Sequence, residues 1–240
     1  MKKQLNLLFL VLILTTGLYA QSFEGLIKIK SDSPYGINAD FTVKGSLVMI
    51  ENGSKHGQVK MIFDKSTGDM TTISDENGKT MAVRMNNDQN PYLNNQNAKS
   101  TTGYEDFSIE KTTDTKVING YNCTRYIGKN RATEAQAWIT DELDITWADL
   151  VQFKKGAGRN PYQMGFGQDG MIMEMQVKET KINKEWTMTT EVTEQPVADS
   201  QFEVPNGVEL MDLSDMRQLM MEAQKDPEKL KQLKEIMQKN

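Results

Sequence analysis

The 240-residue sequence holds one cysteine and one histidine. The single cysteine, Cys123, excludes an intramolecular disulfide, so stability has to come from an apolar core. The single histidine, His56, excludes multi-histidine zinc sites and leaves a serine-type triad no other base. It sits between Lys55 and Gly57 in a turn, where a solvated loop histidine is the ordinary reading. Clusters of lysine and arginine are missing as well: 28 basic residues stand against 33 acidic ones, for a formal net charge of −5. That balance argues against nucleic acid, or an anionic membrane surface, as a partner. Beyond residue 20 no apolar run reaches the length of a bilayer, so the mature chain is not expected to be membrane-spanning.

The first twenty residues have the make-up of a secretory signal peptide. Lys2 and Lys3 give a positive start, Leu5 to Leu14 is apolar apart from Asn6, and Thr15 to Ala20 is a short tail suited to cleavage after Ala20. No cysteine stands at the end of the apolar run, where Thr15 to Gln21 follow it, so an acyl-anchored lipoprotein is not expected. Removing residues 1–20 takes away two lysines and no acidic residue, moving the formal charge from −5 to −7. The expected location is outside the cytoplasm, periplasmic or extracellular. Residues 21–210 read as one β-rich domain without an internal linker, and residues 211–240 as a helical tail.

From Phe23 onward, short stretches of alternating apolar and polar residues are separated by turns. Phe23, Ile27 and Ile29 share one strand face; Val59, Met61 and Phe63 share another. This regular meander predicts an antiparallel all-β sandwich or barrel. Asparagine and glutamine crowd residues 86–103, which read as a polar loop. The stretch Val117 to Thr140 is the expected centre of the fold. Its Asn119-Gly120 pair suits a tight turn, because both residues tolerate positive φ. Cys123 is expected to be a small buried residue rather than a redox or acylation site, and Trp138 to lie in the core. Asp141, Glu142 and Asp144 read as a helix start ahead of a short helix from about Asp144 to Lys155, with Trp147, Leu150 and Val151 on one face. After Leu210 the period becomes helical, with Asp226-Pro227 as a helix restart.

Several motifs fail on context. Gly165 to Gly170 has the spacing of a dinucleotide-binding turn, but a strand pattern follows it where that chemistry needs a helix start. Gly78-Lys79-Thr80 lacks the upstream glycine of a phosphate loop. The acidic trio at 141, 142 and 144 lacks the alternating ligands of a calcium loop. No carboxylate pair is marked out by its surroundings. The sequence therefore names no catalytic residue, no metal ligand and no cofactor, and an enzyme is not expected.

Methionine is the unusual abundance, at 16 residues. Met171, Met173 and Met175 alternate along one strand, with Met164 before them and Met188 on the partner strand. Thioethers repack around irregular ligands, so these five residues and Trp147 form the candidate binding site for an apolar ligand. Ordinary core filling explains the same pattern. Thioethers are also soft ligands that suit Cu(I), but no histidine or cysteine stands near these methionines in the sequence, so a metal site is not expected.

The order of features also carries a resemblance. Phe23-Glu24-Gly25, then Ile118 to Tyr126, then Ala137-Trp138-Ile139-Thr140-Asp141-Glu142-Leu143, then Phe202 to Gly207 resemble a group of exported bacterial proteins catalogued as a domain of unknown function. That group is similar in architecture to the lipoprotein carriers and receptors of the Lol system. The resemblance implies a mainly β fold: a curved antiparallel sheet forming an unclosed barrel, with a helix across the concave face. No ligand-contacting residue of the carriers can be placed here by motif. Two non-catalytic functions follow as expectations: sheltering a lipid or other apolar ligand in the half-barrel, or acting in the envelope through a protein partner.

Overall fold

A computed structural model describes residues 22–33, 38–54, 57–76, 78–86, 107–151, 166, 170–180 and 182–213. Residues 1–21, expected to hold a signal peptide, His56, the asparagine-rich residues 87–106, Met164, and residues 214–240, expected to be a helical tail, lie outside the described residues.

Among the described residues, alternation in the sequence becomes twelve strands. They are β1 (Glu24–Ser31), β2 (Ala39–Lys44), β3 (Leu47–Ser54), β4 (Gly57–Asp64), β5 (Asp69–Glu76), β6 (Lys79–Asn86), β7 (Ser108–Ile118), β8 (Tyr121–Lys129), β9 (Thr133–Thr140), β10 (Met171–Glu179), β11 (Lys184–Glu194) and β12 (Leu210–Asp212). One helix, α1 (Trp147–Val151), and a 3-10 turn at Asp199–Phe202 complete the described elements. All strands join a single sheet in the order β12-β6-β5-β4-β3-β2-β1-β11-β10-β9-β8-β7. Pairing is antiparallel except between β12 and β6. The sheet is open: β7 and β12 are its two edges.

One face of the sheet holds the main core. Ile27 and Ile29 of β1, Phe41 and Val43 of β2, Ala135 and Ala137 of β9, Met175 and Val177 of β10, and Trp186 and Met188 of β11 are buried in one cluster. Trp147 and Leu150 of α1 belong to it too, so the helix lies against this concave face. A second, smaller core sits on the opposite face. There Met49, Ile62, Ile73 and Ala82 are covered by Phe202, Val204, Val208 and Leu210. The segment after β11 is therefore a strap that crosses the outer face and ends by pairing with β6 as β12. Lys44, bonded to Val197 O at 2.8 Å and to Asp199 at 2.6 Å, and Lys60, bonded to Gln201 O at 3.1 Å, fasten the strap.

Three close approaches need glycine. At Gly25, φ is +157° and an added Cβ would fall 2.1 Å from the carbonyl oxygen of Thr193. At Gly128 the same atom would strike the Phe107 ring at 2.2 Å, and at Gly170 the Thr140 carbonyl oxygen at 2.4 Å. Backbone cannot yield as a flexible side chain can, so Gly25 and Gly170 hold β1 against β11 and the end of β9 against the start of β10.

Two expectations need correction. Trp138 is only half-buried: it packs against the main core cluster from the outer face of the sheet and does not lie in the core interior. Direct pairing with Arg125 on one side and Glu174 on the other sets its direction, and Lys116 Nζ lies 4.5 Å from its ring centroid. The apolar run Ala137-Trp138-Ile139 hides which residue faces out. The acidic residues 141–144 do not begin the helix; α1 starts at Trp147.

Candidate functional site

The site anticipated from sequence lies between β10, β11 and α1. In β10 the alternation is broken by a bulge between Ile172 and Glu174, so Met171, Ile172 and Met173 are all buried in succession. Met175 then pairs directly with Met188 of β11, and Val177 with Trp186. Met171, Met173 and Met188 are at most 1% exposed, Met175 3% and Trp147 1%. The structure therefore brings five of the six anticipated residues into one cluster, and Met164 lies outside the described residues. Among the described residues these five side chains are packed together and shielded from solvent. Phe166, from the chain between α1 and β10, is buried in it as well.

The helix above this bed is a short, independently fastened cover. Thr146 caps it. Its N–H and hydroxyl both donate to Asp149 Oδ2, at 2.8 and 3.0 Å, and Asp149 N donates back to Thr146 Oγ1 at 3.3 Å. This reciprocal pairing of cap and third helical residue satisfies free N–H groups of the first turn. Trp147 N donates to Gly170 O at 2.9 Å, tying the helix start to the foot of β10. From the other arm of the sheet, Lys65 in the β4–β5 turn donates from Nζ to Asp144 O at 2.7 Å and lies 3.9 Å from Asp149 Oδ2. Residues 141–151 thus reach from the end of β9 to the β4–β5 turn on the other arm of the sheet. Two buried side chains, Trp147 and Leu150, seat α1 on the core.

Beside the cover, a cavity of about 720 Å³ has a floor of Phe23 and Leu143 and a rim of carboxylates that includes Glu24, Asp141, Asp144 and Glu194. Glu142, also on this rim, accepts hydrogen bonds from Asn122 N at 3.0 Å and Asn122 Nδ2 at 2.7 Å, which lowers its pKa below the usual carboxylate value. Tyr121 Oη donates to Glu194 Oε1 at 2.6 Å. Burial, then that carboxylate, pushes the phenol up to about 12. Burial likewise pushes the Cys123 thiol up to about 11, so it stays a protonated, weakly nucleophilic core residue. Among the described residues no group of three or more histidine, cysteine, aspartate or glutamate side chains is placed to hold a metal ion.

The outer face of β7 to β10 carries a hydrogen-bonded polar ladder that sequence reasoning missed. Arg125 Nη2 donates to Gln136 Oε1 at 2.9 Å, and Gln136 Nε2 to Gln176 Oε1 at 2.6 Å. Lys116 pairs with Glu174 across the Trp138 ring. The signal was present in the every-other-residue spacing of Gln136 and Trp138, and of Glu174 and Gln176, but its meaning depends on register.

Among solved structures, two of PNGF-II are similar at 13% identity. Their TM-scores are 0.40 and 0.42, covering 80% and 81% of this chain and 31% and 33% of theirs. The structure of MucB in complex with MucA(peri) is similar at 9% identity, with TM-score 0.29, over 77% of this chain and 54% of MucB. The chain thus spans about a third of the length of PNGF-II and about half that of MucB. None of the curated proteins compared with the chain matches it. No described helix is long and apolar enough to cross a membrane. Residues 23–208 match the family described as Domain of unknown function (DUF4412), and the chain belongs to that family.

Proposed function

We propose that this is an exported, non-enzymatic binding protein that shelters an acyl chain or similar apolar ligand between the methionine bed and α1. The observation that carries this reading is the fastening of the cover. It is held at the far arm of the sheet by Lys65, through a hydrogen bond to Asp144 O and proximity to Asp149, while Trp147 and Leu150, with partly buried Val151 and the Trp147 N–H bond to Gly170 O, seat the five-residue helix itself. With side chains 19% and 24% exposed, the Lys65–Asp149 pair is largely shielded, and a charged hydrogen bond such as Lys65 to Asp144 O contributes about 1.5–3 kcal/mol, a cost that binding of an apolar ligand can offset. Beneath it, methionine side chains re-adjust their three torsions more readily than branched residues. Lifting α1 would expose an apolar bed, and each methylene removed from water there contributes about 0.8 kcal/mol toward binding. Export follows from the signal-peptide pattern of residues 1–20. The absence of a catalytic constellation in the sequence supports a binding role over an enzymatic one.

Titration of the delipidated protein with a fluorescent fatty acid tests the reading. Saturable binding is expected, with faster association for Lys65→Ala, which frees one arm of the cover. No saturable binding by either protein overturns it.

A further inference from the structure

The free edge of the sheet carries a sequence that complements itself. β7 is 11 residues long and, among the described residues, pairs only on its β8 side. An unpaired edge presents a row of N–H and C=O groups to any strand that can lie beside it. Two of the few large apolar residues exposed on the described surface are on this strand: Ile109, 38% exposed, and Val117, 65% exposed.

These two residues are equidistant from Thr113. So are Glu110 and Lys116, and so are Ser108 and Ile118. If a second copy lies antiparallel with Thr113 opposite Thr113, Ile109 of each copy meets Val117 of the other on one face. Glu110 meets Lys116 on the opposite face. Directly opposed apolar and opposite-charge pairs are the stabilising contacts of an antiparallel ladder, whereas like charges in register oppose it. A two-fold axis makes every such pair occur twice.

The register of β7 on β8 shifts between Lys111 and Thr115, leaving flanks of paired residues at 108–111 and 115–118. Thr112 Oγ1 donates to Arg125 O at 3.0 Å, and Arg125 Nη1 donates to Asp114 Oδ2 at 3.1 Å, so the bulge is tied back to β8. Bulges commonly blunt edges. Here the bulge sits at the symmetry centre, so the two copies' irregular residues face each other and both flanks remain in register. Lys116 is paired with Glu174 of its own chain, and an ammonium has further donors for a second carboxylate.

We propose that β7 is a dimerisation edge that joins two copies of this chain antiparallel about Thr113. The experiment is analytical ultracentrifugation of the full-length mature protein at micromolar concentration, together with oxidative crosslinking of Thr113→Cys in a Cys123→Ala background. Opposed residues of an antiparallel pair lie at Cα separations that a disulfide accepts. A dimer is expected, with Thr113→Cys crosslinking rapidly and a control at exposed Met81, Met81→Cys, staying uncrosslinked. Ile109→Lys with Val117→Lys is expected to give a monomer with an unchanged dichroism spectrum and melting temperature. A monomeric parent overturns the proposal, and so does a dimer that persists in the double lysine variant.

Discussion

The side chain of Asn119 donates from Nδ2 to the backbone oxygen of Thr190 at 2.8 Å, although β8 and β11 are separated by two strands in the sheet. In a flat sheet those strands would lie about 14 Å apart, three spacings of roughly 4.8 Å. The bond is therefore a direct sign of curvature: the β7–β8 turn folds inward over the concave side. Asn119 can make it because it sits at φ +52°, a conformation asparagine tolerates, followed by Gly120 at φ +90°.

Two substitutions separate conformation from bonding at that turn. Asn119→Gly keeps the positive φ and loses only the hydrogen bond, and is expected to cost about 1 kcal/mol. Asn119→Ala loses the bond and strains the backbone, for a total of about 2 kcal/mol. Urea unfolding of the three proteins measures both differences; equal midpoints would show that the contact to Thr190 does not hold the curve.

Gly25 gives the sharpest steric forecast. Gly25→Ala places a methyl group against the Thr193 carbonyl and is expected to destabilise by about 3 kcal/mol, the upper range for overpacking. At Gly53 an added Cβ meets nothing within 4 Å, so Gly53→Ala is expected to stay within about 0.5 kcal/mol of the parent. Thermal melts of the pair decide it, and similar melting temperatures would contradict the close approach of β1 and β11.

Trp147 in the core and Trp138 beside it should behave differently. Trp147→Ala empties a buried site and is expected to cost about 3–5 kcal/mol. Trp138→Ala removes a half-exposed ring from the polar face and should cost less than half as much. Denaturant midpoints give the order, and an equal or larger loss at Trp138 would restore it to the centre of the core.

Stability should fall at alkaline pH. Cys123 and Tyr121 have pKa values raised from 9.0 to about 11 and from 10.0 to about 12. A raised value means that the folded chain keeps a proton the unfolded chain has released. The unfolded state binds fewer protons between about pH 9 and 12, so stability is full below pH 9 and declines as pH rises through that window. Tyr121→Phe combined with Cys123→Ala should flatten the decline in melting temperature above pH 9. A slope unchanged by the double substitution would assign the alkaline loss to other groups.

Much of this fold is legible in the sequence because half-buried strands advertise themselves by alternation, as Phe23, Ile27 and Ile29 do. The turns at Asn119-Gly120 and Lys65 to Gly68 are equally plain. What stayed hidden depends on register or on distant partners. Leu210 to Asp212 becomes a strand only because the β6 edge and the small outer core receive it. Met171-Ile172-Met173 reads as simple alternation until the bulge opposite β9 turns all three inward. The acidic residues 141–144 imitate a helix start, whereas Thr146 and Asp149 form the actual cap pair. For the candidate site, composition brought out the methionine group and Trp147. That α1 seals the bed, with Lys65 reaching over from the opposite arm, follows from three-dimensional packing alone.

The central claim is that the bed beneath α1 receives an acyl chain, and its most direct test is native mass spectrometry of the protein purified gently from its own host. The account predicts a species heavier than the polypeptide by one acyl-bearing molecule, released on denaturation and identifiable as a lipid. Polypeptide mass alone, from protein that also fails to take up a fluorescent fatty acid, would contradict it and leave the methionines as core.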